Sequence, residues 1–201
     1  IDARGLVVSP GFIDIHSHTD FRLLVNPRAE SKIMQGVTTE VFPNCGSGPA
    51  PAIGEVVPKL EEEISKLGLK LNWSTLAEFH KRIEERGTAI NVAMTVPHAN
   101  VRVAVIGYEN REPTPSELEK MRSLVDQAMR EGAYGLCSGL RYVPGSYAGI
   151  DEMVELCKVV AGYDGFYTSH IRSEGDRGSW IDAVQEAIEI GRRSGTRVEI
   201  S

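Results

Sequence analysis

The sequence has few cysteines, no tract of basic residues and no long apolar run. Its three cysteines, Cys45, Cys137 and Cys157, are an odd number in a chain large enough to fold without disulfides, so they indicate reduced thiols. The 22 basic residues are scattered among 28 acidic ones, which argues against a nucleic-acid partner. No apolar run is long enough to span a bilayer. These absences favour a small molecule as partner, with no nucleic acid and no membrane.

The start of the sequence carries no visible targeting signal. Residues 1–5 lack the charged and apolar segments of a signal peptide, so we expect the protein in the cytoplasm. The sequence begins without Met, and a targeting segment upstream of residue 1 is left open. With 41% hydrophobic and 25% charged residues, the composition is ordinary for a globular protein with a sizeable core.

Short strand-like segments alternate with longer segments of helical periodicity. Six strands are predicted, at residues 12–18, 37–42, 90–96, 134–138 and 166–170 and from Arg197 onward. Helices are predicted between them, and most strands are followed by one helix. This order favours an α/β protein of the (β/α)₈ TIM-barrel type, of which about two strands would lie outside the sequence. A doubly wound open sheet is the alternative.

Three of the predicted helices carry N-terminal signals. After the first strand, Asn26 is a candidate N-cap, Pro27 takes the first helical position and Gly36 ends the helix. Capping boxes begin at Thr75 and Thr114, each with Glu three positions later. We therefore expect helices near residues 26–36 and 76–86 and from residue 115 to the glycine at 132.

The first strand ends in two histidines. Alternate side chains of a strand share a face, so His16 and His18 point the same way and can hold one metal ion. A pair of surface histidines is the alternative. The whole run of residues 10–18, Pro-Gly-Phe-Ile-Asp-Ile-His-Ser-His, resembles the first-strand signature of the amidohydrolase superfamily. That resemblance implies a barrel with metal ligands at the carboxyl ends of its strands, and zinc on His16 and His18.

The same fold predicts further ligands at other strand ends. His170 closes the fifth strand and is the next candidate ligand, with a hydrogen-bonded loop histidine as the alternative. Superfamily members with two metals commonly bridge them with a carboxylated Lys on strand four, but residues 134–138 contain no Lys. Cys45, at the end of strand two, is well placed to supply the missing anion, because a thiolate is a soft ligand suited to zinc.

The Asn-Cys-Gly at residues 44–46 narrows the resemblance to D-aminoacylases and related N-acyl-D-amino-acid deacylases. Residues 35–39, 138–142 and 170–174 also resemble that group, and the likeness runs along the whole chain. It implies that residues 1–10 are an approach strand from a small β-domain mostly outside the chain. Residues 11–201 would then be the N-terminal part of the catalytic barrel.

Other site candidates follow from the resemblance. Tyr142 matches a loop Tyr that faces the substrate and can hydrogen-bond the oxyanion of the attacked carbonyl, although a packing role is the alternative. His98 lies just past strand three and is predicted to face the substrate or to support the site. A structural histidine in a loop is the alternative. Cys137 and Cys157 are expected to be small buried hydrophobic residues. His80 is expected to be exposed on a charged helix.

The resemblance implies zinc-dependent hydrolysis of the amide bond of N-acyl-D-amino acids, with one tightly bound Zn²⁺ and a second left open. The general-base Asp and a further ligand His are expected after Ser201, so no catalytic residue other than the metal ligands is assigned within the chain. A cyclic-amide hydrolase resembling dihydroorotases or hydantoinases is the runner-up. A non-catalytic barrel module that retains the two histidines is the third hypothesis. Oligomeric state cannot be read from the sequence.

Overall fold

The fold, seen in a computed structural model, is a curved parallel sheet with helices on its outer side, and residues 2–176 and 178–201 are described. The sheet contains six strands: β1 (Phe12–Asp14), β2 (Val37–Phe42), β3 (Asn91–Pro97), β4 (Gly135–Gly139), β5 (Phe166–His170) and β6 (Arg197–Ile200). Each strand pairs in parallel with the next one along the chain. A doubly wound sheet reverses its strand order partway across, whereas a barrel does not. The predicted barrel, here represented by six strands, is confirmed.

Eight α-helices lie among the described residues: α1 (Arg22–Val25), α2 (Glu30–Ile33), α3 (Val56–Ser65), α4 (Leu76–Arg86), α5 (His98–Ile106), α6 (Pro115–Arg130), α7 (Ile150–Ala161) and α8 (Trp180–Ser194). The capping boxes at Thr75 and Thr114 are both formed, and they begin α4 and α6 as predicted. Apolar stripes of these helices pack on the outer face of the sheet, and the core between the two layers is closed by residues such as Met94, Met121 and Leu156. No helix among residues 2–176 and 178–201 is both long and apolar enough to cross a membrane.

The prediction for the segment between β1 and β2 was wrong. Asn26 does not begin a helix but ends α1, and its side-chain amide donates to Glu30 Oε2 at 2.8 Å. Two single-turn helices replace the expected one, because Ala29 adopts a left-handed conformation with φ of 44° that interrupts helical geometry. Gly36, with φ of 81°, does end the segment as predicted.

The first strand is shorter than predicted. It ends at Asp14, and the Asp14 carboxylate then accepts a hydrogen bond from the backbone N–H of His16 at 3.2 Å. The backbone of Ser17 still donates to Val41 of β2, so the histidine segment follows the sheet without belonging to the strand. His16 and His18 therefore lie on a loop at the carboxyl end of β1.

Helix α5 was missed, because a loop was expected after β3. It begins at His98 directly after Pro97, without a side-chain cap, and seven of its nine residues are buried. A helix that is buried on nearly all sides loses the amphipathic periodicity by which helices are recognised in a sequence. The result is that His98 lies in the first turn of a core helix.

Candidate metal centre

Four side chains that were predicted as metal ligands lie at one edge of the sheet. His16 and His18 follow β1, Cys45 follows β2, and His170 is the last residue of β5. Parallel strands bring their carboxyl ends to the same edge, so residues separated by 125 positions in the sequence meet there. The position of each ligand candidate is thus set by the end of a strand.

The sulfur of Cys45 is the centre of this group. It lies 3.6 Å from His16 Nε2, 3.5 Å from His18 Nε2 and 3.3 Å from His170 Nδ1. The ligand atoms of His16, His18 and Cys45 all lie within 4.8 Å of one another. His170 contacts the group through the sulfur. Of the three imidazole nitrogens, His170 Nδ1 lies closest to the sulfur.

These distances fit a tetrahedral zinc ion. With Zn–S of about 2.3 Å and Zn–N of about 2.0–2.1 Å, a sulfur and a nitrogen ligand of one tetrahedral ion lie about 3.6 Å apart. The observed separations from Cys45 to His16 and His18 match that value. Thiolate and imidazole are also the donors that zinc prefers. The donor set and its spacing therefore fit the ion that the sequence implied.

The Asn-Cys-Gly motif has a local physical basis. The side-chain amide of Asn44 donates to the Val41 carbonyl at 3.2 Å and to the Ile15 carbonyl at 3.4 Å, so it ties the end of β2 to the histidine loop. Cys45 itself has φ of 56°, a left-handed conformation rare for a residue with a side chain. A Cβ on Gly46 would approach the Gly139 nitrogen to 2.6 Å, so only glycine fits there.

The electrostatics of the group favour a bound cation. Burial lowers the pKa of His18, and His16 and His170 lower it further. Burial also lowers the pKa of His170. The pKa of the Cys45 thiol is raised, first by burial and then by nearby carboxyl groups. Burial therefore favours the neutral imidazoles of His18 and His170 that metal binding requires, and it favours the protonated Cys45 thiol until a cation displaces the proton.

A buried carboxylate supports the histidine loop from below. Glu40 is fully buried on β2, and its Oε1 accepts hydrogen bonds from the hydroxyls of Ser17 at 3.0 Å and Thr19 at 2.9 Å. Lys32 pairs with Glu40 at 2.8 Å and with Asp14 at 2.5 Å. Ser17 and Thr19 alternate with the two candidate histidines, so this network fixes the loop that presents them. Sequence reasoning missed it, although Glu40 next to the apolar end of the strand, Val41 and Phe42, was a visible signal.

Tyr142 and Glu174 lie against His170 on the side away from the sulfur. The Tyr142 hydroxyl is 3.5 Å from His170 Nε2, and the two rings meet edge to face with centroids 4.9 Å apart. Glu174 Oε1 is also 3.5 Å from that nitrogen. Arg172, on the same loop, binds Glu186 at 2.8 Å.

His98 lies elsewhere. It is fully buried, and its Nε2 is 2.7 Å from Glu152 Oε1 on α7, so it presents no surface to a substrate. Cys137 and Cys157 are fully buried, as expected. Burial raises the pKa of the Cys137 thiol to about 12, which leaves it an inert core residue. His80 is half-buried on α4, not exposed as expected.

A cavity of about 600 Å³ opens beside the candidate ligands. His18, Cys45 and Tyr142 line it, together with residues of helices α3 and α5. The wall is apolar at Val56, Leu60 and Val103, and Arg22, Lys59 and Lys66 add cationic side chains. The size is typical of sites that bind small organic molecules.

Asp20 lies in the same cavity and was not identified from the sequence. Burial raises the pKa of its carboxyl to about 8, and the nearby Glu63 and Glu40 add to the effect. Its Oδ1 is buried without a hydrogen-bond partner among the described residues. Burial thus favours the neutral form of this carboxyl group beside the candidate metal ligands.

A parallel barrel with His and Cys side chains at the carboxyl ends of its strands is the architecture of metal-dependent barrel enzymes. A family model described as the amidohydrolase family matches residues 1–162, and the chain belongs to that family. It is 38% identical over its whole length to N-acyl-D-aspartate deacylase and 35% identical to D-aminoacylase, both of Alcaligenes xylosoxydans xylosoxydans. These matches cover 40% and 41% of the two relatives, so the chain spans about two fifths of their length.

A solved structure agrees with this assignment. N-acyl-D-glutamate deacylase from Bordetella bronchiseptica, complexed with zinc and a phosphonate mimic of the tetrahedral intermediate, superposes with a TM-score of 0.83 at 35% identity. The superposition covers 94% of this chain and 39% of that one. Relatives of this chain are therefore metal-dependent deacylases of N-acyl-D-amino acids.

Proposed function

We propose that the protein containing this chain is a zinc-dependent hydrolase that cleaves the linear amide bond of N-acyl-D-amino acids. The observation that carries the proposal is the Cys45 sulfur at 3.3–3.6 Å from three imidazole nitrogens. The relatives named above, which act on such substrates, support the same reaction. Cys45 also distinguishes this chain from family members that place a carboxylated Lys on strand four.

The chain's own residues hold the ion. His16, His18, Cys45 and His170 are the proposed ligands, and one tightly bound zinc is expected. When bound, zinc lowers the pKa of a water molecule to about 7 and polarises an amide carbonyl. The sulfur lies between the histidine pair that follows β1 and His170 at the end of β5, so a Cys45 thiolate would also be able to serve a second ion. Metal analysis of the full-length protein counts the ions bound per chain.

Tyr142 is proposed to bind the substrate. Tyr142 lines the cavity, its hydroxyl is 3.5 Å from His170 Nε2 and the residue is 47% exposed, so it can donate a hydrogen bond to the carbonyl oxygen of an amide bound there. A donor at that point stabilises the negative charge that develops on the oxygen during attack. The proton transfers need a general base, which we expect from an Asp after Ser201.

The acyl chain and the amino-acid part of the substrate are proposed to occupy the cavity that α3 and α5 line. Its apolar wall at Leu60 and Val103 suits an acyl chain, and the cations Arg22 and Lys59 suit the carboxylate of an amino acid. Both features adjoin His18 and Cys45, so a molecule lying there would bring its amide to the candidate ligands. A small-molecule substrate is the partner we propose.

The test uses the full-length protein with N-acetyl-D-aspartate, N-acetyl-D-leucine, their L forms and a cyclic amide such as dihydroorotate. Hydrolysis of the linear D substrates, with one or more zinc per chain, is expected, and Cys45→Ala should abolish turnover and lower zinc affinity to the residual value that the three imidazoles provide. Cys157→Ala is the matched control, because that buried thiol lies outside the site.

Other outcomes separate the alternatives. Turnover of the cyclic amide with full activity in Cys45→Ala would favour a cyclic-amide hydrolase over our proposal. A folded protein that retains no metal and cleaves none of these substrates would favour a non-catalytic barrel module.

A further inference from the structure

Asn100 is a buried amide side chain that contacts the loop carrying Cys45. It is 7% exposed, in the first turn of α5. Its Nδ2 donates to the Gly48 carbonyl at 2.8 Å and to the Pro51 carbonyl at 3.1 Å. Its Oδ1 accepts from the Gly48 N–H at 3.3 Å. One side chain therefore closes three hydrogen bonds to the segment that follows Cys45.

The backbone of α5 contacts the same loop. The first N–H groups of a helix lack partners within the helix, and that of Ala99 donates to the Gly46 carbonyl at 2.7 Å. Gly46 is the next residue after Cys45 in the chain. The bonds from Ala99 and Asn100 thus fix residues 46–51 immediately after the sulfur-bearing residue.

Helix α5 is itself held rigidly by a buried ion network. Glu152 of α7 lies between His98, at 2.7 Å from Oε1, and Arg102, which pairs with Oε2. The side chains of His98 and Arg102 are fully buried. Arg102 also donates to the Glu109 carbonyl at 3.2 Å, which fixes the far end of the helix. Displacement of α5 relative to β3 and α7 would expose or separate these charges, which is costly.

We propose that Asn100 is a positioning residue for the metal centre, and that it holds the Cys45 sulfur at ligand distance through residues 46–51. This role depends on the geometry of Cys45. Its backbone is held in a left-handed conformation, and metal–ligand distances tolerate shifts of only about 0.2 Å. Loss of the Asn100 bonds frees the Gly48 and Pro51 carbonyls and lets the loop relax. The inference rests on the proposed metal ligands and is independent of the substrate.

The test compares Asn100→Ala with Thr196→Val in the full-length protein. Thr196 is a matched control, because its buried hydroxyl also donates to a backbone carbonyl, that of Cys157 at 2.7 Å, away from the site. Zinc affinity is measured by chelator competition, and the thiolate-to-cobalt charge-transfer absorption is recorded after Co²⁺ replaces zinc. Asn100→Ala should lower zinc affinity about 10- to 100-fold and weaken or shift the band. Thr196→Val should leave both within twofold.

A second variant and a double-mutant cycle complete the design. Asn100→Ser keeps a small donor and should give an intermediate affinity, which secures the test if the Ala variant does not fold. In a Cys45→Ala background, Asn100→Ala should change residual metal affinity by less than twofold, since the residue acts through that sulfur.

Two results overturn different claims. Wild-type affinity and an unchanged band in a folded Asn100 variant would overturn the positioning role, even if its thermal stability fell. Unchanged metal binding in Cys45→Ala alone would instead overturn the ligand assignment on which the proposed function stands.

Discussion

Two clusters in this molecule are built around histidines, and they differ in where their balancing charge is found. In the first, Glu152 lies between His98 and Arg102, all of them buried, so anion and cation are both supplied by the protein. In the second, three imidazoles surround the Cys45 sulfur at the edge of a cavity, and burial disfavours both imidazolium and thiolate. Side chains that can donate an electron pair but have no cationic partner in the protein are the ones that bind a metal cation.

The comparison also separates two kinds of role. The closed Glu152 cluster fixes α5 against α7 and has no surface for a ligand. The open Cys45 cluster has exposed edges at His18 and Tyr142 and adjoins the cavity. Variants of the first should therefore act mainly on folding stability, and variants of the second mainly on metal and substrate.

The largest effect on stability is expected from Glu152→Gln. The change leaves the Arg102 charge buried without its anion and should lower the free energy of unfolding by about 3 to 5 kcal/mol, measured by urea denaturation. Burial alone would raise the pKa of Glu152, but the hydrogen bond from His98 and the charges of His98 and Arg102 outweigh it and lower the pKa below 4.5.

The sign of that shift predicts a pH dependence. A carboxyl whose folded pKa is lowered contributes stability above its unfolded pKa and loses it as pH falls through the folded value. The stability difference between the wild type and Glu152→Gln should therefore be full at pH 7 and shrink below pH 4.5. A difference that stays constant down to pH 3 would show that the carboxylate charge is not what stabilises α5.

The next largest effect is expected from His18→Ala, and it should fall on metal binding. Structural zinc sites bind with about 10–16 kcal/mol over four ligands, so loss of one should weaken zinc binding roughly 100- to 1000-fold. Because His18 is exposed, the stability of the metal-free protein should change by less than about 0.5 kcal/mol. His80→Ala is the control. Equal zinc affinity in both variants, measured by chelator competition, would remove the contrast between the clusters.

Much of the open cluster was accessible from the sequence, because it depends on strand ends. The resemblance to the amidohydrolase superfamily implied a parallel barrel, and in a barrel His16, Cys45 and His170 lie at one edge because each follows or ends a strand. The short motif at residues 44–46 then pointed to a sulfur among the donors. No side-chain contact between distant residues had to be known for that step.

The closed cluster was not accessible in the same way. His98 and Arg102 lie in a segment without an amphipathic stripe, so α5 was not recognised and His98 was predicted to face the substrate or to support the site. Its partner Glu152 is 54 residues away, on a helix whose rotation decides whether the carboxylate faces inward. Pairing of buried charges depends on tertiary packing, which a strand and helix pattern does not encode. The network of Glu40 and Lys32 was missed for the same reason.

A smaller effect than loss of a ligand is expected from Tyr142→Phe, and it should appear in catalysis alone. Removal of one hydrogen-bond donor to a developing oxyanion lowers kcat by about a hundredfold. Zinc affinity should be unchanged, because the hydroxyl lies 3.5 Å from His170 on the side opposite the sulfur. Steady-state kinetics of the full-length protein provide the measurement, with Tyr163→Phe as control. A rise in KM without a fall in kcat would assign Tyr142 to substrate packing instead.

The smallest effect is expected from Lys59→Ala, which sharpens the contrast at the open edge of the cavity. The Lys59 side chain is exposed, so its attraction for a substrate carboxylate is screened by water and salt and amounts to less than about 1 kcal/mol. KM for N-acetyl-D-aspartate should rise about two- to fivefold at low ionic strength, with kcat unchanged, and the difference should vanish at 1 M salt. Lys81→Ala, an exposed lysine of α4, is the matched control. A salt-independent rise in KM would mean that Lys59 shapes the cavity wall through packing of its aliphatic stem. The difference in charge between the two clusters would then be confined to the metal ligands and would not extend to the cavity.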